Sequence, residues 1–257
     1  MNLGLEKKVM LVAGASKGLG FAIAEQLRQE GANVSISSSN QQRIEQAASR
    51  LDCPGMRCDV TSAQDIADWV AESHARFGRI DGLVVNAGGP PPGSFDDFDD
   101  DAWQQAFELT LLSAVRMIRA VLPYMREQRS GSIVVMTSSS VKEPIDFLLL
   151  SNVMRSGVNS LAKTLSRAEA KHGIRINNLV PGLIATDRMK NLDKVQAQAN
   201  QRSVEEQHAA TAANIPLGRY GEPCEFAAAA AFLLSEAAAY ITGSTLTVDG
   251  GSMRTVW

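Results

Sequence analysis

The chain has 257 residues, enough for one large α/β domain with a sizeable core. Its formal net charge is -3, so it lacks the basic excess that binding to nucleic acid or anionic lipid requires. No apolar run reaches the length of a membrane span, and residues 9–13 are too few for the core of a signal peptide. We therefore expect neither nucleic acid nor membrane as a partner.

The cysteines indicate a reducing compartment. Cys53, Cys58 and Cys224 are odd in number and form no CxxC pair, which predicts reduced thiols in a cytoplasmic protein. The three histidines are scattered along the chain and none is paired with a cysteine. We therefore expect no metal site.

Short apolar runs alternate with segments of helical periodicity along the chain. The predicted strands are residues 9–13, 34–37, 55–58, 83–86, 133–137, 174–180 and 245–248. The predicted helices are residues 19–30, 41–50, 62–76, 100–128, 151–171 and 222–235. Thr61 is expected to cap the third helix, and residues 187–214 are polar and rich in Gln and Ala. The alternation predicts an α/β fold, a Rossmann-type doubly wound parallel sheet flanked by helices. No linker or repeat divides residues 1–257, so we interpret them as one domain.

The turn after the first predicted strand is rich in glycine. It reads Gly14-Ala-Ser-Lys-Gly18-Leu-Gly20 and joins a buried strand to a helix. Glycines allow the backbone to approach a pyrophosphate closely, and the N-terminus of the helix favours negative charge. The position between strand and helix favours a dinucleotide site over a plain tight turn.

This glycine spacing resembles the short-chain dehydrogenase/reductase family, and further motifs follow in the family's order. Asp59-Val60 is similar to the pair that contacts adenine in that family. Asn86-Ala87-Gly88 is similar to its NNAG motif, with valine in place of the first asparagine.

Two later segments extend the resemblance to the end of the chain. Pro181-Gly182-Leu-Ile184-Ala-Thr186 is similar to the family segment that holds the nicotinamide carboxamide. The tail, residues 216–251, resembles the ketoacyl-carrier-protein reductase and sugar dehydrogenase branches. The resemblance implies cofactor contacts from Gly14, Ser16, Lys17, Gly18, Leu19, Gly20, Ser38, Ser39, Asp59, Val60, Asn86, Ala87, Gly88, Arg155, Pro181, Gly182, Ile184 and Thr186.

The residues after the second predicted strand bear on the choice of cofactor. NAD-specific Rossmann proteins usually carry an acid there, which binds the ribose 2′-hydroxyl. This chain has Ser37, Ser38, Ser39 and Asn40, with no carboxylate to repel a 2′-phosphate. Lys17 lies in the glycine loop, where the family often has a base that meets this phosphate. We therefore expect a preference for NADP(H), with NAD(H) possible because no arginine follows the strand.

The catalytic positions depart from the family's Asn, Ser, Tyr and Lys. Counting from Trp103 places Thr110 at the asparagine, whereas Ser138 matches the family's serine. Ser151 replaces the tyrosine and Arg155 replaces the lysine. Residues four apart share one face of a helix, so the arrangement of the pair is retained while its chemistry changes. Arg155 is still expected to bind the nicotinamide ribose.

The replacement of tyrosine removes the expected acid. A phenol with a pKa of about 10 needs a shift of roughly 3 pH units to act near neutrality, or about 4 kcal/mol. An aliphatic hydroxyl near 15.7 needs roughly 8 units, or about 11 kcal/mol. One arginine cannot supply that difference, so the serine is not expected to ionise.

Other residues are alternative proton donors. None of the three tyrosines lies near the site in sequence, and Tyr220, in the turn at residues 216–223, is the best candidate among them. Lys142, Glu143 and Asp146 lie in the loop between Ser138 and Ser151, which borders the substrate in the resembling family. Each is otherwise a solvated or structural residue. The apolar residues 147–150 are expected either to line a substrate pocket or to dock the next helix.

The sequence therefore predicts an NADP(H)-dependent oxidoreductase of a carbonyl or alcohol, similar to ketoacyl reductases. Two alternatives stay open: a non-catalytic cofactor-binding sensor or partner subunit, and a lyase or isomerase without net redox chemistry. In the resembling family the helices at 100–128 and 151–171 form one two-fold interface and the C-terminal strand forms another. We therefore expect a homotetramer or homodimer, to which the apolar tail ending in Trp257 would contribute.

Overall fold

A parallel sheet of seven strands lies at the centre of the computed structural model, which describes residues 2–256. In chain order, β1 to β7 are Val9–Val12, Asn33–Ser38, Gly55–Arg57, Gly82–Val85, Gly131–Met136, Ile174–Pro181 and Thr245–Val248. Their spatial order is β3-β2-β1-β4-β5-β6-β7, and every pairing is parallel. The chain changes direction across the sheet between β1 and β4, the kind of switch point at which doubly wound sheets bind ligands.

Helices cover both faces of this sheet. In chain order, α1 to α9 are Gly18–Gln29, Gln41–Leu51, Ala63–Phe77, Asp100–Ala106, Ser113–Gln128, Leu149–Glu169, Asp187–Ala199, Val204–Ala213 and Pro223–Leu234. No helix within residues 2–256 has the length and apolar character needed to cross a membrane.

The two faces of β1 explain the two layers of the core. Successive side chains of a strand point to opposite faces, so Met10 and Val12 pack with α1 and α9, whereas Val9 and Leu11 pack with α3, α5 and α6. All four side chains are buried. Each such burial contributes about 1.5–3 kcal/mol, which accounts for the run of consecutive apolar residues in this strand.

The predicted fold is confirmed, and most predicted element boundaries agree within two residues. One predicted cap is wrong: Ser62 rather than Thr61 caps α3, because its Oγ accepts a hydrogen bond from the Asp65 backbone nitrogen. Thr61 instead donates to Asp59 in the preceding turn. The polar segment 187–214, left unassigned from the sequence, forms α7 and α8.

The predicted helix 100–128 is helical over its whole length, but its hydrogen-bond pattern changes in the middle. A π-helical turn, Phe107–Leu112, separates α4 from α5. Such turns occur frequently at functional sites, because the inserted residue changes which side chain faces inward. Thr110, one of the predicted catalytic positions, lies within this turn.

Candidate active site

The parallel sheet brings the predicted site residues to one edge. In a parallel sheet all carboxyl ends lie at the same edge, so segments that follow different strands become neighbours. The predicted cofactor residues end or follow β1 (Gly14, Ser16, Lys17, Gly18, Leu19, Gly20), β2 (Ser38, Ser39), β3 (Asp59, Val60), β4 (Asn86, Ala87, Gly88) and β6 (Pro181, Gly182, Ile184, Thr186), and Arg155 lies on α6, which follows β5. Their roles stay predictions, but their shared edge is a property of the fold.

The glycine loop has the geometry of a phosphate cradle. Gly14 and Gly18 both have φ of +61°, a left-handed conformation that glycine adopts without strain. A Cβ on Gly20 would lie 2.5 Å from the Gly14 carbonyl oxygen, whereas a Cβ on Gly18 would meet nothing within 4 Å. Asn86 Nδ2 donates to the carbonyl oxygens of Ala13 and Gly14, at 3.1 and 3.2 Å, and so ties β4 to this loop. The loop therefore presents open space at the N-terminus of α1, which suits a pyrophosphate.

Polar groups surround the end of β2 next to this loop. Ser38 Oγ donates to Ser16 Oγ at 3.0 Å, so the serine strand and the glycine loop are in direct contact. Lys17 is exposed at the N-cap of α1. Arg57, which the sequence analysis did not select, is paired with Ser38 in the register of β2 and β3 and forms an ion pair with Asp65. No arginine follows β2, but the neighbouring strand β3 supplies Arg57 beside the end of β2.

Ser151 and Arg155 form a hydrogen-bonded pair on α6. Arg155 Nε donates to Ser151 Oγ at 3.2 Å, and Arg155 Nη1 donates to the Met136 carbonyl at the end of β5, also at 3.2 Å. Because Ser151 accepts this bond, its hydroxyl proton is available to another acceptor. Burial, together with the charge of Arg188, lowers the pKa of Arg155 to about 10, so the guanidinium stays charged at neutral pH.

The other two predicted catalytic residues occupy different surroundings. The Ser138 side chain accepts a hydrogen bond from the Ser140 backbone nitrogen at 3.2 Å, in the turn that follows β5. Thr110 is buried, and its hydroxyl has no hydrogen-bond partner within residues 2–256. A buried hydroxyl without a partner costs free energy, which is consistent with a role that a bound molecule completes.

The structure bears on the alternative proton donors. Tyr220 donates its hydroxyl hydrogen bond to buried Asp193 at 2.7 Å, and burial raises the pKa of this tyrosine to about 12. It is therefore a poor acid whose proton is already bonded. Glu143 accepts from the Arg254 backbone nitrogen at 2.7 Å, and Asp146 is exposed. Lys142 is half-buried, and its side chain forms no hydrogen bond or salt bridge within the described residues.

Two roles were left open for residues 147–150, and the structure shows the packing role for one of them. Leu150 is fully buried in a small cluster with Ala106 and Met154 and so docks α6. Phe147 is 47% exposed, and its carbonyl accepts a hydrogen bond from the Gly93 nitrogen at 2.7 Å. The loop before α6 is thereby tied to the loop that follows Asn86.

Two further residues belong to this edge although the sequence analysis did not select them. A Cβ built on Gly89 would lie 3.1 Å from Nη2 of Arg188, 3.3 Å from its Nη1, and 3.6 Å from Nη2 of Arg155. Arg188 stands two residues after Thr186. This position, directly after a recognised motif, is the feature of the sequence that could have identified it as a site residue. Arg188 lies 33 positions after Arg155 in the chain, so nothing in the local sequence indicates that the two residues are close in space.

Comparisons with known proteins identify the family and agree with the fold. A family model described as enoyl-(acyl carrier protein) reductase matches residues 14–253. Human dehydrogenase/reductase SDR family member 4 is 36% identical over 256 residues, covering 96% of this chain and 88% of that protein. The 3-oxoacyl-(acyl-carrier-protein) reductase FabG of Vibrio cholerae is 36% identical over 253 residues, covering 97% and 98%. L-sorbose reductase from Gluconobacter frateurii, solved with NADPH and L-sorbose, has a TM-score of 0.94 at 31% identity, with 100% of both chains covered.

The fold and these matches define the class of Rossmann-type oxidoreductases. More narrowly, the chain belongs to the short-chain dehydrogenase/reductase family, as its motifs predict.

Proposed function

We propose that the protein is an NADP(H)-dependent oxidoreductase that interconverts a carbonyl and an alcohol, similar to the 3-ketoacyl reductases. The observation that carries this proposal is the shared edge of the sheet. There Asn86 joins the glycine cradle to the loop that follows β4. Gly89, in the same loop, lies beside Arg155 of the Ser151–Arg155 pair. Dinucleotide and substrate would thus meet above β4 and β5.

The preference for NADP(H) rests on the groups around the end of β2. Lys17, Ser16, Ser38 and Arg57 provide positive charge and hydroxyl donors, and residues 37–40 contain no carboxylate. Charge-assisted hydrogen bonds of this kind are typical of phosphate binding. The resemblance to a sorbose reductase solved with NADPH supports the same choice.

A reduced nicotinamide bound above β4 and β5 would supply a hydride to the carbonyl carbon. The chain's own residues act on the oxygen. Ser151 can donate its hydroxyl hydrogen bond to the carbonyl oxygen, because Arg155 already occupies the serine as a donor. The nearby guanidinium stabilises the negative charge that develops on this oxygen. Arg155 is also proposed to hold the nicotinamide ribose with its remaining donors, and water supplies the proton that completes the alcohol.

This arrangement predicts slow turnover. A general acid contributes about 10²–10⁴-fold, and neither Ser151 nor Arg155 is an acid near neutral pH. The positioning of cofactor and carbonyl is retained, and positioning is the larger requirement of hydride transfer. We therefore expect a slow reductase rather than an inert protein.

The test is steady-state NADPH oxidation over a panel of ketoacyl esters and diketones. Ser151→Tyr combined with Arg155→Lys should raise turnover without improving cofactor affinity, because it restores a phenol and its cationic neighbour. Ser151→Ala should lower turnover by about tenfold or less, as expected for one hydrogen bond. Ser160→Ala, an exposed serine of the same helix, is the matched control and should change nothing.

Calorimetric titration of NADPH separates the possible outcomes. Tight binding without turnover on any carbonyl would favour a non-catalytic cofactor-binding protein. Rapid wild-type turnover that Ser151→Ala abolishes would make this serine a working acid or relay and contradict the argument from its pKa. Rapid turnover that Ser151→Ala leaves intact would place the donor elsewhere, with Lys142 as the next residue to replace.

A further inference from the structure

The side chains of β6 that face α6 change from apolar to polar at the carboxyl end of the strand. Ile174 and Ile176 lie in the core layer beneath α6, and the next side chain on this face is Asn178, which is only 2% exposed. A buried amide is tolerated only when its polar atoms are hydrogen-bonded, so the role of Asn178 depends on the groups that it contacts.

Asn178 connects the end of β5 to α6. Its Oδ1 accepts a hydrogen bond from Thr137 Oγ1 at 2.8 Å, and its Nδ2 donates to Asn159 Oδ1 at 2.9 Å. Asn159 Oδ1 also accepts from Thr245 Oγ1 of β7, at 3.3 Å. These four side chains, which we call the amide network, link α6 to the neighbouring strands β5, β6 and β7.

The amide network adjoins two of the predicted catalytic residues. Thr137 directly precedes Ser138, and Asn159 lies one helical turn after Arg155 on the same face of α6. Arg155 itself donates to the carbonyl of Met136, the residue before Thr137. The end of β5 is therefore tied to α6 at two points one turn apart, directly through Arg155 and indirectly through the amide network.

Hydrogen bonds fix this contact more closely than apolar packing would. Apolar contacts between a helix and a sheet have no preferred direction. A buried network in which each bond is made favours a single arrangement, because a shift of α6 would leave polar groups unpaired. The position of the Arg155 guanidinium follows from the position of α6, so the amide network also determines where this charge lies.

We propose that Asn178 is a positioning residue, which holds α6 against the end of β5 so that Arg155 and Ser138 are correctly placed for cofactor and substrate. This proposal rests on the proposed function for its kinetic readout, whereas cofactor affinity is measured without turnover. Removing the Asn178 amide should weaken NADPH binding through Arg155 and reduce turnover, although Asn178 is itself buried.

The experiment compares two neighbouring asparagines of β6. Asn178→Ala removes both hydrogen bonds that this side chain contributes to the amide network. Asn177→Ala is the matched control, because Asn177 is 1% exposed and its amide bonds only the Ile241 carbonyl and the Ser244 nitrogen, in the segment before β7. Each variant loses one buried amide with two hydrogen bonds, so a general loss of packing should affect both alike.

Calorimetry measures NADPH affinity for wild type, these two variants, Arg155→Ala and the double variant Asn178→Ala/Arg155→Ala. We expect Asn178→Ala to weaken binding about 3- to 10-fold, the range of one misplaced hydrogen bond, and to have no further effect when Arg155 is absent. Asn177→Ala should bind NADPH as wild type does. Unchanged affinity in Asn178→Ala, an equal loss in Asn177→Ala, or losses that add in the double variant would overturn the proposal.

A second pair of variants decides the question if Asn178→Ala does not fold. Thr137→Val removes the hydroxyl that donates to Asn178 and keeps the branched shape, whereas Thr137→Ser keeps the hydroxyl. We expect Thr137→Val to weaken NADPH binding and Thr137→Ser to retain the affinity of wild type. Equal affinities in the two variants would show that this hydrogen bond positions nothing that the cofactor contacts, and the proposal would be wrong.

Reduction of ethyl acetoacetate by NADPH separates this proposal from the proposed function. Asn178→Ala should lower kcat by about 10- to 100-fold, as expected when reacting groups are displaced by about 1 Å, with little change in KM for the ester. If wild type reduces no carbonyl but the pattern of NADPH affinities holds, the positioning role stands and the proposed reductase activity fails. If Asn178→Ala reduces the ester with the kcat of wild type, the activity stands and the positioning role is wrong.

Discussion

Removing Arg188 should stabilise the protein when no ligand is present. The nearest nitrogens of Arg188 and Arg155 lie 3.1 and 3.6 Å from one point beside Gly89, so they are at most about 7 Å apart. At an effective dielectric constant of about 20, two unit charges at that separation repel by roughly 2 kcal/mol. Arg188 is exposed, so solvent screening reduces this to about 1 kcal/mol. For a chain of this size, about 1 kcal/mol corresponds to a rise in Tm of about 2–4 °C.

The assay is thermal unfolding of wild type, Arg188→Gln and Lys190→Gln without cofactor. Both variants lose one positive charge from the same helix, so an effect of net charge alone would move them equally. The extra stability of Arg188→Gln should disappear near 1 M salt, where the Debye length is about 3 Å. An unchanged or lower Tm for Arg188→Gln at low salt, or an equal gain in Lys190→Gln, would refute the reasoning.

Three further predictions concern the cofactor, stability and assembly. Lys17→Ala should weaken NADPH binding about tenfold while leaving NADH binding unchanged, and calorimetry showing that wild type binds NADH as tightly as NADPH would contradict the assignment. Arg126 lowers the pKa of buried Glu169 below its usual value of 4.5, so this pair stabilises the fold above pH 4.5 and loses its effect as pH falls through the lowered pKa. Glu169→Gln should therefore lower the free energy of unfolding by about 1–3 kcal/mol at neutral pH, and the difference from wild type in denaturant titrations should shrink in acid. Light scattering should give the mass of a homotetramer at micromolar concentration, whereas a stable monomer would exclude it; Trp257, part of the tail expected to contribute, lies outside the described residues.

Local sequence patterns predicted the fold because the central strands β1, β4 and β5 are buried on both faces. The apolar run that includes Val9 and Leu11 predicts a central strand, and the glycines that follow it predict the turn. Once alternation implies a parallel sheet, the carboxyl ends of the strands must share one edge. The grouping of the cofactor residues could therefore be predicted without any knowledge of contacts.

Features that depend on hydrogen bonding between neighbours could not be predicted in the same way. Thr61 and Ser62 are both residue types that cap helices. Ser62 is the cap because Thr61 is already hydrogen-bonded to Asp59. The π-helical turn that contains Thr110 adds one residue to a helical turn and hardly alters the apolar periodicity.

The arrangement of the arginines is a tertiary property. Nothing near Arg188 in the sequence indicates that it faces Arg155, because β6 and the following turn separate the two. The same holds for Tyr220, which lies in a loop and donates a hydrogen bond from its hydroxyl to Asp193 on α7. Sequence patterns thus predicted which residues share one edge of the sheet, whereas the contacts of the charged groups and proton donors there required the structure.

The most direct test of the central proposal, that this atypical site transfers a hydride, is isotope transfer in a single turnover. The protein would be mixed with NADPH carrying deuterium at the transferable position of the nicotinamide and with the best carbonyl substrate from the panel of ketoacyl esters and diketones. The product would then be analysed by mass spectrometry. We expect one deuterium on the carbon of the new alcohol, with matching formation of NADP. Bound cofactor that stays reduced, with no label in any product, would contradict the proposed oxidoreductase function.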